Sequence, residues 1–288
     1  MKIGRKVALS VAVTVIAWAS AFAGIRAAVL ELSPGHVALF RFAVASVLLG
    51  ALAATIRPVR RIEARDCART AFAGLLGYAI YHLALNAGEV TVGAAAASLL
   101  VSLVPMITTA LSVLFLGERP RMALWLGLGV GIAGASLVAL GEHAALTFNS
   151  GASLVLIAAV AQAAYFVVQK PLLAKYDAFT VTAWTMWSGT LALLLAFGPS
   201  AAPALRHASL GAWMAVLYLG VVPSAVAMFT WTYALSQLPA SSASVFLLLV
   251  PAVSIPIAWI WLRELPSVVS MVGGLITIAG VALARRKR

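Results

Sequence analysis

Between Lys6 and Arg26 the chain carries no charged side chain, and the same is true between Arg121 and Glu142 and between Asp177 and Arg206. Such runs decide which solvent the chain is built for. About 20 apolar residues, rising about 1.5 Å each, cross the roughly 30 Å of hydrocarbon in a bilayer. Backbone polar groups in lipid need partners within the protein, which leaves helices or closed barrels. Barrel strands alternate apolar and polar residues, and these runs do not. The 288 residues are 63% apolar and 10% charged, with a mean hydropathy of +1.05. That leaves too few polar side chains to cover a soluble protein of this length. The expected class is an all-α integral membrane protein.

Ten spans are expected, at roughly 7–30, 36–56, 70–88, 92–116, 122–141, 151–171, 178–198, 210–234, 239–262 and 266–284. Most connections are short; only 57–69, 142–150 and 199–209 are longer. With the N-terminus in the cytoplasm and the spans alternating, sixteen Lys and Arg residues fall on the inner side and four (Arg26, Arg41, Arg206, Arg263) on the outer side. This asymmetry places both termini in the cytoplasm. The formal charge of +12 is then a topology signal and an anchor to anionic inner-leaflet lipid. The basic residues are divided among short loops, so no nucleic-acid surface is expected. The start could pass for a signal peptide, but its first span resembles the sixth, with Phe22 over Phe166 and Arg26 over Lys170, so it is expected to stay in the fold. Cys67, the only cysteine, falls in an inner loop.

The phrase LVPMITTALSVLFLGERP at 103–120 returns as LVPAVSIPIAWIWLRELP at 249–266. The match runs without a gap from 94–137 to 240–283, at a constant offset of 146 (251 − 105), and pairs Ser98 with Ser244, Pro120 with Pro266 and Gly127 with Gly273. Each half, 1–146 and 147–288, holds five spans. Five is odd, so the second copy starts on the opposite side of the membrane. Inverted repeats of this kind suit transporters, whose halves exchange roles around a site near the midplane.

WASAFAGIRAAV (18–29), ALFRF (38–42), the two Pro-to-Glu-x-Pro phrases, and the glycine-rich spans GLGVGIAGASLVAL (127–140) and GGLITIAGVAL (273–283) form a recognisable set. On these motifs the chain resembles the EamA-type members of the drug/metabolite transporter superfamily. It implies ten helices as two inverted five-helix repeats, a central cavity, and transport of amino acids or other small metabolites, commonly as export. A multidrug or lipid-flippase carrier, or an uncoupled facilitator of nucleosides or other metabolites, is the alternative.

Polar groups at membrane depth are costly and face a cavity or a partner. Tyr78, His82 and Asn86 lie one helical turn apart on one face. They line a wet cavity, or the imidazole bonds a nearby carbonyl. Gln162, Tyr165 and Gln169 share a face of the sixth span, and Trp18 and Phe22 occupy the counterpart face of the first. Trp184 is a candidate cavity wall, while Trp231 and Tyr233, near a span end, suit the interfacial belt. Arg41 either snorkels to the outer interface or meets a substrate carboxylate, and Glu31 is near enough to pair with Arg26 or Arg41. Glu118 and Glu264, each just ahead of a proline-started helix, suit helix capping. Pro105 and Pro251 predict a matched pair of kinks. Gly127, Gly131 and Gly134, with Ser270 and Gly274, form small-residue faces for helix packing or for a homodimer contact.

The candidate substrate-binding set is therefore Trp18, Phe22, Arg41, Tyr78, His82, Asn86, Gln162, Tyr165 and Trp184, between spans one, three, six and eight. The expected partners are a small-molecule substrate and the lipid bilayer. Proton coupling stays open, because His82 can titrate near physiological pH and no acidic residue reads as buried at mid-membrane. No metal-ligand, phosphate-loop or nucleophile–base pattern stands out, so neither an enzyme nor a metal or other cofactor is expected.

Overall fold

The computed structural model describes residues 4–92, 94–141, 150–262 and 267–286, with backbone alone at 94, 95, 207 and 258–262. The expectations for Arg263, Glu264, Pro266, most of the 142–150 connection and the outermost basic residues of both termini lie outside the described residues. Among these residues all regular structure is helical: α1 (Arg5–Val29), α2 (Pro34–Thr55), α3 (Ala64–Gly74), α4 (Tyr81–Glu89), α5 (Ala94–Val101), α6 (Val104–Leu116), α7 (Met122–Gly141), α8 (Ser150–Gln169), α9 (Ala178–Phe197), α10 (Ala201–His207), α11 (Leu210–Leu219), α12 (Ala227–Gln237), α13 (Ala240–Ser244), α14 (Leu249–Leu262) and α15 (Val268–Ala284).

Several of these helices join end to end. A π-helical segment, Leu75–Ile80, links α3 to α4, and a second, Gly220–Val226, links α11 to α12. Ser102 and Leu103 form a tight break between α5 and α6, and a 3₁₀ segment, Val245–Leu248, stands between α13 and α14. Pro105 and Pro251 each follow one of these breaks, as the kink expectation requires.

Eight helical runs among the described residues are long and apolar enough to cross a membrane, by length and composition. The expected spans at 70–88 and 266–284 are not among them. The first carries Tyr78, Tyr81, His82 and Asn86, which lower its hydropathy. The second is described over 17 residues, Val268–Ala284. Side chains such as Leu9, Val47, Leu114, Phe115, Leu195 and Leu275 are largely exposed on the outside of the bundle. An apolar exterior of this kind belongs in lipid, not water.

Polar side chains tie the helix ends together. Ser33 caps α2, Ser209 caps α11 and Ser267 caps α15, while Asp177 caps α9 through the Phe179 and Thr180 amides. Glu31 does not pair with Arg26 or Arg41. Its carboxylate accepts from the Ser209 amide at 2.8 Å and the Ser209 hydroxyl at 2.7 Å, and those bonds hold it below its usual range. Asp66 accepts from Lys175 at 2.8 Å and from the Tyr176 hydroxyl at 3.0 Å. The Lys175 bond is the main cause of a lowered Asp66 pKa. Glu118 caps a helix, but not the one that follows it. It accepts from the Ala240 amide at 2.7 Å, the Ser241 amide at 3.0 Å and the Ser241 hydroxyl, at the start of α13 in the other half.

α7 and α15 pack closely against each other. A methyl group added at Gly127 would lie 2.4 Å from the Ala284 nitrogen, at Gly134 2.5 Å from the Thr277 nitrogen, and at Gly273 2.6 Å from the Val138 nitrogen. Only glycine permits this approach, so the small-residue faces are used within the chain. The order of the contacts makes the two helices antiparallel.

Candidate functional site

The polar stripe of α4 meets α1, α2, α8 and α12 around a cavity of about 50 Å³. Trp18, Phe22 and Ile25 of α1 line it, with Arg41 of α2, Tyr81, His82 and Leu85 of α4, Gln162 of α8 and Met228 of α12. The breaks in the α5–α6 and α13–α14 runs bring in Ser98, Val101, Ser102, Val104, Leu247 and Val250. This last group was absent from the expected set. Its signal lay in the repeated Ser98/Ser244 and in the broken helices before Pro105 and Pro251.

Arg41 is 1% exposed and is held from two sides. Its Nε donates to the Ser224 hydroxyl at 2.9 Å, and Nη1 stands 3.4 Å from His82 Nδ1. A guanidinium only donates, so in this arrangement Nδ1 accepts and Nε2 carries the imidazole hydrogen. The guanidinium also lies 5.2 Å from the centre of the Phe42 ring. Among the described residues no carboxylate stands within ion-pair distance of it. Arg41 therefore does not snorkel; it faces the cavity. The wide π turn at Gly220–Val226 turns Ser224 toward Arg41 and presents the Pro223 carbonyl, which accepts from Trp18 Nε1 at 3.0 Å. Gly220 makes this possible, because a methyl group there would lie 2.8 Å from the Arg41 carbonyl.

The other expected residues divide. Phe22 and Gln162 line the cavity, with Gln162 Oε1 buried and unpartnered. Tyr78 and Tyr165 are brought together but lie behind the wall, their hydroxyls 3.0 Å apart. Asn86 donates to the Pro34 carbonyl at 3.1 Å and so anchors the start of α2. Trp184 lies away from the cavity, its indole N–H donating to the Arg60 carbonyl at 2.9 Å. Trp231 is fully buried, not interfacial. Its ring sits 4.7 Å from Phe166 and 5.6 Å from Trp18.

One acidic residue outside the expected set is also buried. Glu89 closes the Tyr78–His82–Asn86 stripe at the last residue of α4. It is 0% exposed, and among the described residues neither carboxyl oxygen has a hydrogen-bond partner. A second cavity, of about 430 Å³, lies against Glu118–Arg121, the start of α13 and the end of α15, and shares no residue with the polar stripe.

An apolar-surfaced helical bundle with a small buried cavity walled by aromatic and polar groups suits a membrane transporter, and the comparisons give the family. Residues 5–140 and 149–286 match the EamA-like transporter family, and the chain belongs to it. It is 40% identical over its whole length, and over 95% of the relative, to a protein of Streptantibioticus cattleyicolor named as a probable terminal-alkyne amino-acid exporter. It is 36% identical, over 94% of its length and 88% of the relative, to the uncharacterized transporter YdfC of Bacillus subtilis. A solved crystal structure at 19% identity shares the fold, with a TM-score of 0.77 over 97% of this chain and 96% of the other.

Proposed function

We propose that this transporter is an alternating-access carrier that exports amino acids or similar amphipathic solutes across the inner membrane. In this reading ten spans form two inverted five-helix repeats, 1–146 and 147–288, with both termini cytoplasmic. The observation that carries it is a cavity lined by equivalent positions of the two copies. At the offset of 146, His82 answers Met228, Val101 answers Leu247 and Val104 answers Val250, and all six line the cavity. A site on the axis between two exchangeable halves is what alternating access requires.

Other pairs support the inversion. Gly74 abuts the Thr185 carbonyl at 2.3 Å, and Gly220, its equivalent, abuts the Arg41 carbonyl at 2.8 Å, both measured from an added methyl group. Thr185 donates to the Tyr78 hydroxyl, and Arg41 donates to the hydroxyl of Ser224, the equivalent of Tyr78. Arg26 donates to the Glu89 carbonyl at 2.6 Å, and Lys170 donates to the carbonyl of Leu235, the equivalent of Glu89, at 2.5 Å. The antiparallel α7–α15 contact joins equivalent helices, and equivalent helices that run in opposite directions are what an inverted repeat produces.

The substrate class follows from what the cavity lacks. Arg41 has a hydroxyl and an imidazole as partners but no anion, and its planar fork suits a carboxylate. Trp18, Phe22 and Tyr81 offer an apolar, aromatic wall. The named activity of the Streptantibioticus relative agrees with this chemistry. The cavity of about 50 Å³ is far below the roughly 300 Å³ at which ligand pockets begin, so it corresponds to a closed form. The helix breaks beside it are natural bending points.

Counterflow of amino acids by the protein in liposomes tests the reading. The double substitution H82A/Q162A should lower exchange or raise the apparent KM by about tenfold, equivalent to about 1.4 kcal/mol. An unchanged rate and affinity would remove these residues from the site.

A further inference from the structure

We infer that Glu89 binds and releases a proton during the transport cycle, and that this coupling rests on the carrier function proposed above. The first observation is the lack of partners. Both carboxyl oxygens are buried and unbonded among the described residues, and so is Oδ1 of Asn86, one turn earlier on the same face. An ionised carboxylate in such a place has nothing to replace its lost water. A proton supplies the missing partner without bringing in another side chain.

The second observation is that the fold does not ask for an acid here. The equivalent position in the other half is Leu235, also 0% exposed. The two places share a clamp on the main-chain carbonyl, from Arg26 and from Lys170. Packing is therefore satisfied by a leucine, and the carboxyl group is an addition specific to one half. The polar groups of the site follow the same pattern: Arg41 stands opposite Thr185, and His82 opposite Met228.

The third observation is location. Glu89 ends its helix, and the next two residues, Val90 and Thr91, are exposed. A small opening of this helix end would wet the carboxyl group, and closing would dry it. The charged groups around it are known from each packed element. Arg26 of α1 and Arg41 of α2 are near enough to act on the carboxyl group. Tyr81 and His82 lie on its own helix. The tyrosine of α8, Tyr165, is paired with Tyr78 farther along, and α5 carries no ionisable residue.

Arg26 spends its hydrogen bonds on backbone carbonyls and Arg41 on Ser224 and His82, so neither forms an ion pair with Glu89 in this state. When a substrate carboxylate occupies Arg41, the balance of charge felt by Glu89 changes, and that links the proton to the solute. The step breaks no other bond. The proton arrives from water on one side, sits on a carboxyl oxygen, and leaves to water on the other side.

The test uses liposomes containing the full chain, with an imposed pH gradient and a labelled amino acid. With the pH gradient imposed, wild-type protein should accumulate the solute against its concentration. E89Q should still exchange solute but fail to accumulate it, and E89D should keep accumulation. Wild-type flux that ignores the gradient, or E89Q that accumulates like wild type, would overturn the inference. A wild-type protein that exchanges no amino acid would refute the proposed function instead. In that case, or if E89Q does not exchange, infrared spectroscopy decides. The wild type should show a carboxylic-acid C=O band that titrates with pH and is missing from E89Q, and a spectrum without that band overturns the inference.

Discussion

Glu118 joins the two halves through a bond network whose strength can be measured. Its carboxylate takes the amides of Ala240 and Ser241 and the Ser241 hydroxyl. Hydrogen bonds to a charged acceptor contribute about 1.5–3 kcal/mol each in dry surroundings. Here the carboxylate borders the cavity of about 430 Å³, so water can take over part of the role once it is removed. That lowers the expected cost of Glu118→Ala to about 2–3 kcal/mol for the group, at or above the roughly 2 kcal/mol ceiling for loss of a single helix cap. Ser241→Ala removes one donor and should cost about 1 kcal/mol. The two should not add, because they share a bond, and a coupling of about 1 kcal/mol is expected. Thermal unfolding in detergent, read for both single variants and the double variant, measures it. Additivity within about 0.3 kcal/mol would show that Glu118 does not cap α13.

Three further outcomes are expected. Gly134→Val should destabilise the bundle by about 3 kcal/mol, because its β-carbon alone would already stand 2.5 Å from the Thr277 nitrogen; a melting temperature unchanged from wild type would argue against the α7–α15 contact. Because Lys175 lowers the folded pKa of Asp66, its stabilisation is present above the ordinary carboxylate value of about 3.9 and fades as the pH falls through and below it. Denaturation followed between about pH 5 and pH 3 should show that loss in wild type and a smaller one in Asp66→Asn, and equal losses would contradict it. Arg41→Lys keeps the charge but not the planar fork, so the apparent KM for a carboxylate substrate should rise about tenfold; an unchanged KM would point to a structural role for Arg41.

Much of the cavity was legible because polarity at membrane depth is a strong signal. His82 and Gln162 could be placed from span position and helical spacing, and Trp18 and Phe22 from the repeat, whereas Arg41 was left between the outer interface and the cavity. Glu89 could not be placed. The stretch GEVTVG reads as a connection, yet the helix reaches Glu89, whose carbonyl Arg26 from another span holds. Trp231 sits near the end of its span yet packs on Phe166 and Trp18, so burial overrode an expectation based on position. Trp184 has the composition of a cavity wall, but its N–H is taken by Arg60 in the loop after α2. Glu118 was expected to act on its own neighbourhood, whereas its partners lie 122 and 123 residues away. In each case the deciding contact is long-range, and local spacing carries no record of it.

The central claim is that one site serves both sides of the membrane in turn. Counterflow measures this directly: liposomes loaded with excess unlabelled amino acid should take up labelled amino acid to a transient overshoot that saturates with concentration. Uptake that rises linearly without an overshoot, or no uptake of any amino acid by folded protein, would contradict it.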